Sequence, residues 1–225
     1  MAKIKFSALV SDMRGKLNGS VISKNRSGAI VRNKVTPSNP QTASQMANRA
    51  LLGSASIAWG SLSQAQRDSF DNAVSQWTGT NIFGDNVTPT GKNLFVALYK
   101  NAVSVGATAP LTAPDKVEIP FNSATAVNVN IDDSEVTILG NDAPAGMKLV
   151  VSATPFLSPG TKFTKGKFRR IYVSAGNAPV PADLYASYTD KFGVPSAGAN
   201  IYFEIKLIAP NGQMGLPQTF KASVA

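Results

Sequence analysis

Apolar positions along the chain change period twice. At the start, Ile4, Phe6, Ala8 and Val10 alternate with polar neighbours in "KIKFSALV", the period of a half-buried strand. In "SVISKNRSGAIVRNKV", two β-prone runs, Ser20–Ser23 and Ala29–Val35, flank the glycine-containing loop "KNRSG" and predict a hairpin. From Asn39 the period lengthens. Met46, Ala50, Gly53 and Ile57 recur at helical spacing and define one face of a first helix, with Gly60 as its expected stop. Ser63 and Gln66 have capping-box spacing, and Phe70, Ala73, Val74 and Trp77 mark the inner stripe of a second helix. Thr90 is the expected cap of a third, with Leu94, Phe95, Leu98 and Tyr99 facing inward. The three helices are expected to bury one another around Ile57, Trp59, Phe70, Trp77, Phe95 and Leu98.

Period two then returns. "GATAPLTAPDK" has the composition of a linker. Beyond it, seven short runs ("KVEIPF", "AVNVNI", "EVTILG", "MKLVVSATPF", "FRRIYVSA", "ANIYFEIKLIA", "PQTFKASV") are split by Pro, Gly and Asn turns. That rhythm predicts an antiparallel β-sandwich, with "PADLYASYTDKFG" as a helical insertion. The expected fold class is therefore α+β. A basic β arm or hairpin spans 1–36, a small three-helix module 37–105, a linker 106–115 and an immunoglobulin-like β-sandwich 116–225. Between arm and helices lies a joint formed by Pro37, Asn39, Pro40 and Thr42. The prolines stop the strand from continuing into a helix, and Asn39 or Thr42 caps the helix that follows.

Composition narrows the chemistry. Hydrophobic content of 43% and charged content of 16% mark the 225 residues as globular rather than disordered. The chain lacks both Cys and His. That removes disulfides, thiolate and imidazole metal sites, cysteine nucleophiles and the usual proton carrier near neutral pH. We expect no catalytic residue, no metal, no cofactor and no enzymatic activity. Apolar runs are too short for a membrane span, and the apolar stretch at the N-terminus is too short for a signal-peptide core.

Net charge is +9 and uneven. Between residues 1 and 35, Lys3, Lys5, Arg14, Lys16, Lys24, Arg26, Arg32 and Lys34 stand against Asp12 alone, a local charge of +7. Residues 36–110 carry four basic and three acidic side chains, and residues 111–225 ten and nine. A basic arm on a near-neutral body predicts an acidic partner, with Arg14, Lys16, Lys24, Arg26, Arg32 and Lys34 as contacts.

Other candidates carry less. "GTKFTKGKF" imitates a phosphate loop, but five residues separate Gly160 from Gly166 and Phe168 stands where a metal-binding hydroxyl is needed. The run Lys162, Lys165, Lys167, Arg169, Arg170 is expected to be an exposed strand and loop. Asp132, Asp133, Glu135 and Asp142 lack the spacing and glycine of a calcium loop. Arg49 and Arg67, with the basic arm, share the general plan of a DNA reader, yet the helices are nearly neutral. Nucleic-acid binding through the arm and helical module is the alternative function.

Residues 14–102 resemble a module of tailed-bacteriophage structural proteins. The resemblance rests on Gly15, Gly19, Gly28, Arg32, Lys34, Val35, Pro37, Asn39, Pro40, Thr42, Gln45, Arg49, Trp59, Leu62, Gln66, Arg67 and Phe70, then Gly91, Leu94, Phe95 and Tyr99. The C-terminal region is similar in architecture to immunoglobulin-like and fibronectin-III-like domains fused to such proteins. The resemblance implies a non-enzymatic virion component: a capsid auxiliary or decoration protein, or a head–tail neck or tail component. Its implied partners are other virion proteins (capsid, portal or neck, tail) and copies of itself, with assembly in the host cytoplasm and no membrane.

Overall fold

The structure is a computed structural model that describes residues 2–26, 28–36, 38–120, 124–130, 134–140, 143–161, 163–174 and 183–224. Among the described residues it is a mixed α+β chain with four helices and several antiparallel sheets. The chain divides into two compact units, Met1–Leu94 and Phe95–Ala225.

The N-terminal unit opens with β1 (Ala2–Ile4), β2 (Gly15–Leu17), β3 (Ser20–Asn25) and β4 (Gly28–Asn33), which form an antiparallel sheet in the order β1-β4-β3-β2. β2 meets β3 across Asn18-Gly19, with Leu17 opposite Ser20 and Asn18 at φ 48°. Asn18 supplies the left-handed backbone at the first turn position, a conformation that asparagine tolerates better than most side chains. Register then sorts the side chains. Ile22 lies opposite Val31, and Val31 opposite Ala2, while Ala29 lies opposite Ile4. Since alternate residues point to opposite faces, these five share one face, where Ile22 and Ala29 are buried.

Helix α1 (Ala43–Ser61) starts at Thr42, whose hydroxyl accepts from the Gln45 N–H at 3.4 Å. Asn39 does not cap it; its Oδ1 accepts from Arg49 Nη2 at 2.7 Å. Helix α2 (Gln64–Ala73) begins with the complete capping box of Ser63 and Gln66. Phe70 on α2 is fully buried and meets Trp59 edge-on, with ring centroids 6.0 Å apart. A two-stranded ribbon, β5 (Gly79–Thr80) and β6 (Asn86–Val87), precedes α3 (Gly91–Ser104). At the start of α3, Asp71 Oδ1 accepts from the Gly91 N–H at 3.1 Å. A side chain at 91 would collide with Asp71.

The expected core needs correction. Phe70, Phe95 and Leu98 are buried and Trp59 and Trp77 half-buried, but Ile57 is 77% exposed. The inner face of α1 is not the Met46–Ala50–Gly53–Ile57 stripe. It is the stripe of Leu51, Ala55, Ala58, Trp59 and the capping Leu62, with Ala55 and Leu62 buried. Both stripes have helical spacing, at about 100° per residue. The second carries Trp59 and two leucines and so gains more by burial.

The C-terminal unit holds the remainder of α3, then β7 (Ala124–Asn130), β8 (Glu135–Gly140), β9 (Lys148–Ala153), β10 (Arg169–Val173), α4 (Tyr185–Phe192), β11 (Asn200–Ile208) and β12 (Gln218–Ser223). β7 and β8 form a two-stranded ribbon, and a four-stranded sheet runs β10-β9-β11-β12. Both contribute to one core: Val127, Val136 and Ile138 from the ribbon, Val151, Ile201, Phe203 and Ile205 from the sheet, and Tyr188 from α4. Burial pushes the Tyr188 phenol above its usual range, so it stays neutral and donates to the Thr154 carbonyl at 3.2 Å.

Six of the seven expected C-terminal strands form. In "KVEIPF", residues 116–120 make no strand, and residue 121 lies outside the described residues. The Val117 N–H donates to Gln213 Oε1 at 2.8 Å, and Gln213 Nε2 donates to the Val117 carbonyl at 2.7 Å. A side chain thus does the work of a ladder, and Pro120 has no N–H to offer one. Gln213 sits in a turn whose Gly212 adopts φ 83° against the Leu98 backbone. A methyl group at 212 would meet the Leu98 carbonyl in a backbone conformation that side chains rarely adopt. Gly212→Ala should therefore cost about 2 kcal/mol, measured as a fall of several degrees in the thermal unfolding midpoint.

Candidate functional site

The cations of the arm separate by sheet face. Lys16 lies opposite Val21, and Val21 opposite Arg32, so these three form one cross-strand row. Lys3 and Ser23 both lie opposite Ile30 in the next row. Alternation puts both rows on the face away from Ile22 and Ala29 and sends Lys34 the same way, its N–H bonded to the Gly19 carbonyl at 2.7 Å. Among the described residues, Lys16, Arg32 and Lys34 make no ion pair. Half-buried Val21 and Ile30 lie between the charges.

The other expected contacts are engaged elsewhere. Arg14 and Lys24 converge on Asp12 Oδ2 at 3.0 and 3.8 Å. Arg26, at the tip of the β3–β4 hairpin, lines a groove of about 440 Å³ with Trp77, Thr80, Val87, Thr90 and Asn93. In the joint, Asn39, Pro40 and Thr42 are exposed, and Pro37 lies outside the described residues. The structure thus brings together Lys16, Arg32 and Lys34 of the six arm cations.

Magnitudes show why such a face is tolerated. Lys16 and Arg32 sit two strands apart, about 10 Å between backbones. At that distance, in water, their repulsion is roughly 0.4 kcal/mol and is further screened by salt. Cations on short edge strands also discourage edge pairing, which accounts for Lys3 and Lys16. It does not account for Arg32, which stands on the interior strand β4.

One site residue was not legible in sequence. Lys5 Nζ reaches Asp85 Oδ1 at 3.0 Å and lies 5.2 Å from the centre of the Phe83 ring. The partners are 80 residues apart, so no local pattern links them. Hydrogen bonds from Asn81 and then Lys5 hold the Asp85 carboxyl below its usual range. In the C-terminal unit, Arg169 donates to the Gly166 and Phe168 carbonyls and Arg170 to the Ser104 carbonyl. Of that basic run Lys165 is exposed and Lys167 half-buried, and Lys162 lies outside the described residues. Asp183 Oδ1 accepts from the Val136 and Tyr185 N–H groups, and Glu204 pairs with Lys206 at 2.6 Å. Asp132, Asp133 and Asp142 lie outside the described residues, and no acidic group able to hold a metal occurs among the described ones. Nor is any described helix long and apolar enough to cross a membrane.

No protein-family model matches the chain, and no curated protein matches it.

The lowered Asp85 pKa gives the arm a pH dependence. A carboxylate held below its unfolded value contributes above that value and loses its contribution as pH falls through the folded one. Amide protection factors in β1 and in the Asn81–Asp85 turn, corrected for the intrinsic pH dependence of exchange, should therefore fall on acidification through the lower carboxylate range. Asp85→Asn should remove that response and leave the Asp12 contacts unchanged.

Proposed function

We propose that the protein is a non-enzymatic structural component of a tailed-phage virion, docked through the exposed cationic face of its N-terminal sheet. The observation that carries this reading is the set of Lys16, Arg32 and Lys34 on one sheet face without a carboxylate partner among the described residues. A face of this kind gains little inside its own chain. It gains much when an acidic surface covers it, because opposite potentials steer encounter and fix register. An acidic patch on a capsid, neck or tail protein has that character.

In this proposal α1, α2 and α3 act as a three-helix module, and β7–β12 with α4 form an immunoglobulin-like β-sandwich. Strand order supports the second point. β10-β9-β11-β12 corresponds to C′-C-F-G of such sandwiches, with α4 where strand E would run. The absence of Cys suits a protein made and assembled in a reducing host cytoplasm.

The test is incorporation. Lys16→Glu, Arg32→Glu and Lys34→Glu, made together, alter exposed side chains and should leave the unfolding midpoint within a few degrees of wild type. In cells producing particles, mass spectrometry of purified particles should find this variant at least tenfold depleted. Lys165→Glu with Lys167→Glu should incorporate normally. Full incorporation of the triple variant contradicts the proposal. So does tight duplex-DNA binding by the wild type that falls steeply with salt and is lost in the triple variant, the signature of a nucleic-acid-binding protein.

A further inference from the structure

Helix α1 is nineteen residues long and carries a single charged side chain, Arg49. It is also poorly covered. Residues 43–50 are exposed throughout, Met46 is half exposed and Ile57 77% exposed. A helix that faces water usually has a charged outer face. Here the outer stripe is Ala43, Met46, Ala50, Gly53 and Ile57, and Arg49 at its margin is bonded to Asn39 at 2.7 Å.

The sequence of that stripe is symmetric about the midpoint between Ala50 and Gly53. Reversing the helix puts Met46 where Ile57 was, Ala50 where Gly53 was and Ala43 where Gly60 was. We infer that α1 pairs antiparallel with α1 of a second copy, with Met46 of each copy packed against Ile57 of the other and Ala50 against Gly53. A twofold contact requires one surface to complement itself, and a large–small–small–large stripe does so when reversed. The small central residues let the axes approach to about 8 Å, the lower limit for packed helices. Met46 and Ile57, about 16 Å apart along the axis, close the two ends.

Charge selects the same arrangement. The residues before Met46 and after Arg49 on this face are uncharged. In an antiparallel pair Arg49 lies opposite Ser54, whereas a parallel pair would set Arg49 against its own copy. Covering the stripe removes on the order of 400 Å² from each copy, which is the size of a weak, specific contact rather than a permanent dimer. The pair therefore forms at high protein concentration, or where an assembly already holds copies close together. This gives the contact with copies of itself that the phage resemblance implies a surface and a register. It is tested on the free protein, so its failure leaves the particle assay untouched.

The chain has no Cys, so introduced thiols report the register directly. Met46→Cys and Ile57→Cys full-length proteins, mixed in equal amounts at high concentration and oxidised mildly, should give mainly the mixed disulfide dimer. Each variant alone should cross-link at least fivefold less. Adding Ala50→Glu to both should abolish the mixed dimer with no loss of helical circular dichroism. The inference is overturned if the mixture stays monomeric or if Met46→Cys alone links as well as the mixture. It is equally overturned if Asn48→Cys, on the opposite side of α1, links to Ile57→Cys as efficiently as Met46→Cys does.

Discussion

Strand register decides what the N-terminal unit can present. Hydrogen bonding fixes Val21 opposite Arg32 and Ile22 opposite Val31. A shift of one residue would send the whole pattern to the other face. In the observed register Ile22 and Ala29 are buried while Lys16 and Arg32 project from the far side. The two-residue Asn18-Gly19 turn and the close of β3 on β4 set that register. The cationic face is thus a direct consequence of turn chemistry and apolar burial, with cohesion on one face of the sheet and the proposed docking on the other.

Charge is then divided by geometry rather than by count. The arm holds eight cations, but they do different things. Asp12 takes Arg14 and Lys24, and Asp85 takes Lys5. These exposed pairs are individually weak, yet they set where the remaining positive potential lies. It collects around Lys16, Arg32 and Lys34, beside Val21 and Ile30, so apolar surface and charge lie together on the face proposed to dock. Arg26 is drawn instead to the groove beside Trp77.

Much of this was legible in the sequence, and the exceptions have physical causes. The strand–hairpin–helix succession followed from period and punctuation, and Thr42 and Ser63–Gln66 cap their helices because hydroxyl spacing signals a cap locally. The inner face of α1 was misread because two stripes of helical spacing compete, and only packing against Phe70 decides between them. The run at 116–121 has strand composition, yet residues 116–120 form no strand. Gln213, nearly a hundred residues on, satisfies the Val117 backbone instead. The Lys5–Asp85 contact was hidden for the same reason, since long-range pairs leave no periodic trace. Which arm cations are free likewise depended on where Asp12 folds back.

The central claim is that the far face of the arm sheet is the docking surface. The most direct measurement is lysine acylation of the protein, free and within purified particles, read residue by residue by mass spectrometry. Lys16 and Lys34 should lose most of their reactivity on assembly, while Lys165 and Lys167 keep theirs. Equal reactivity of Lys16 and Lys34 in the free and assembled states would contradict the account.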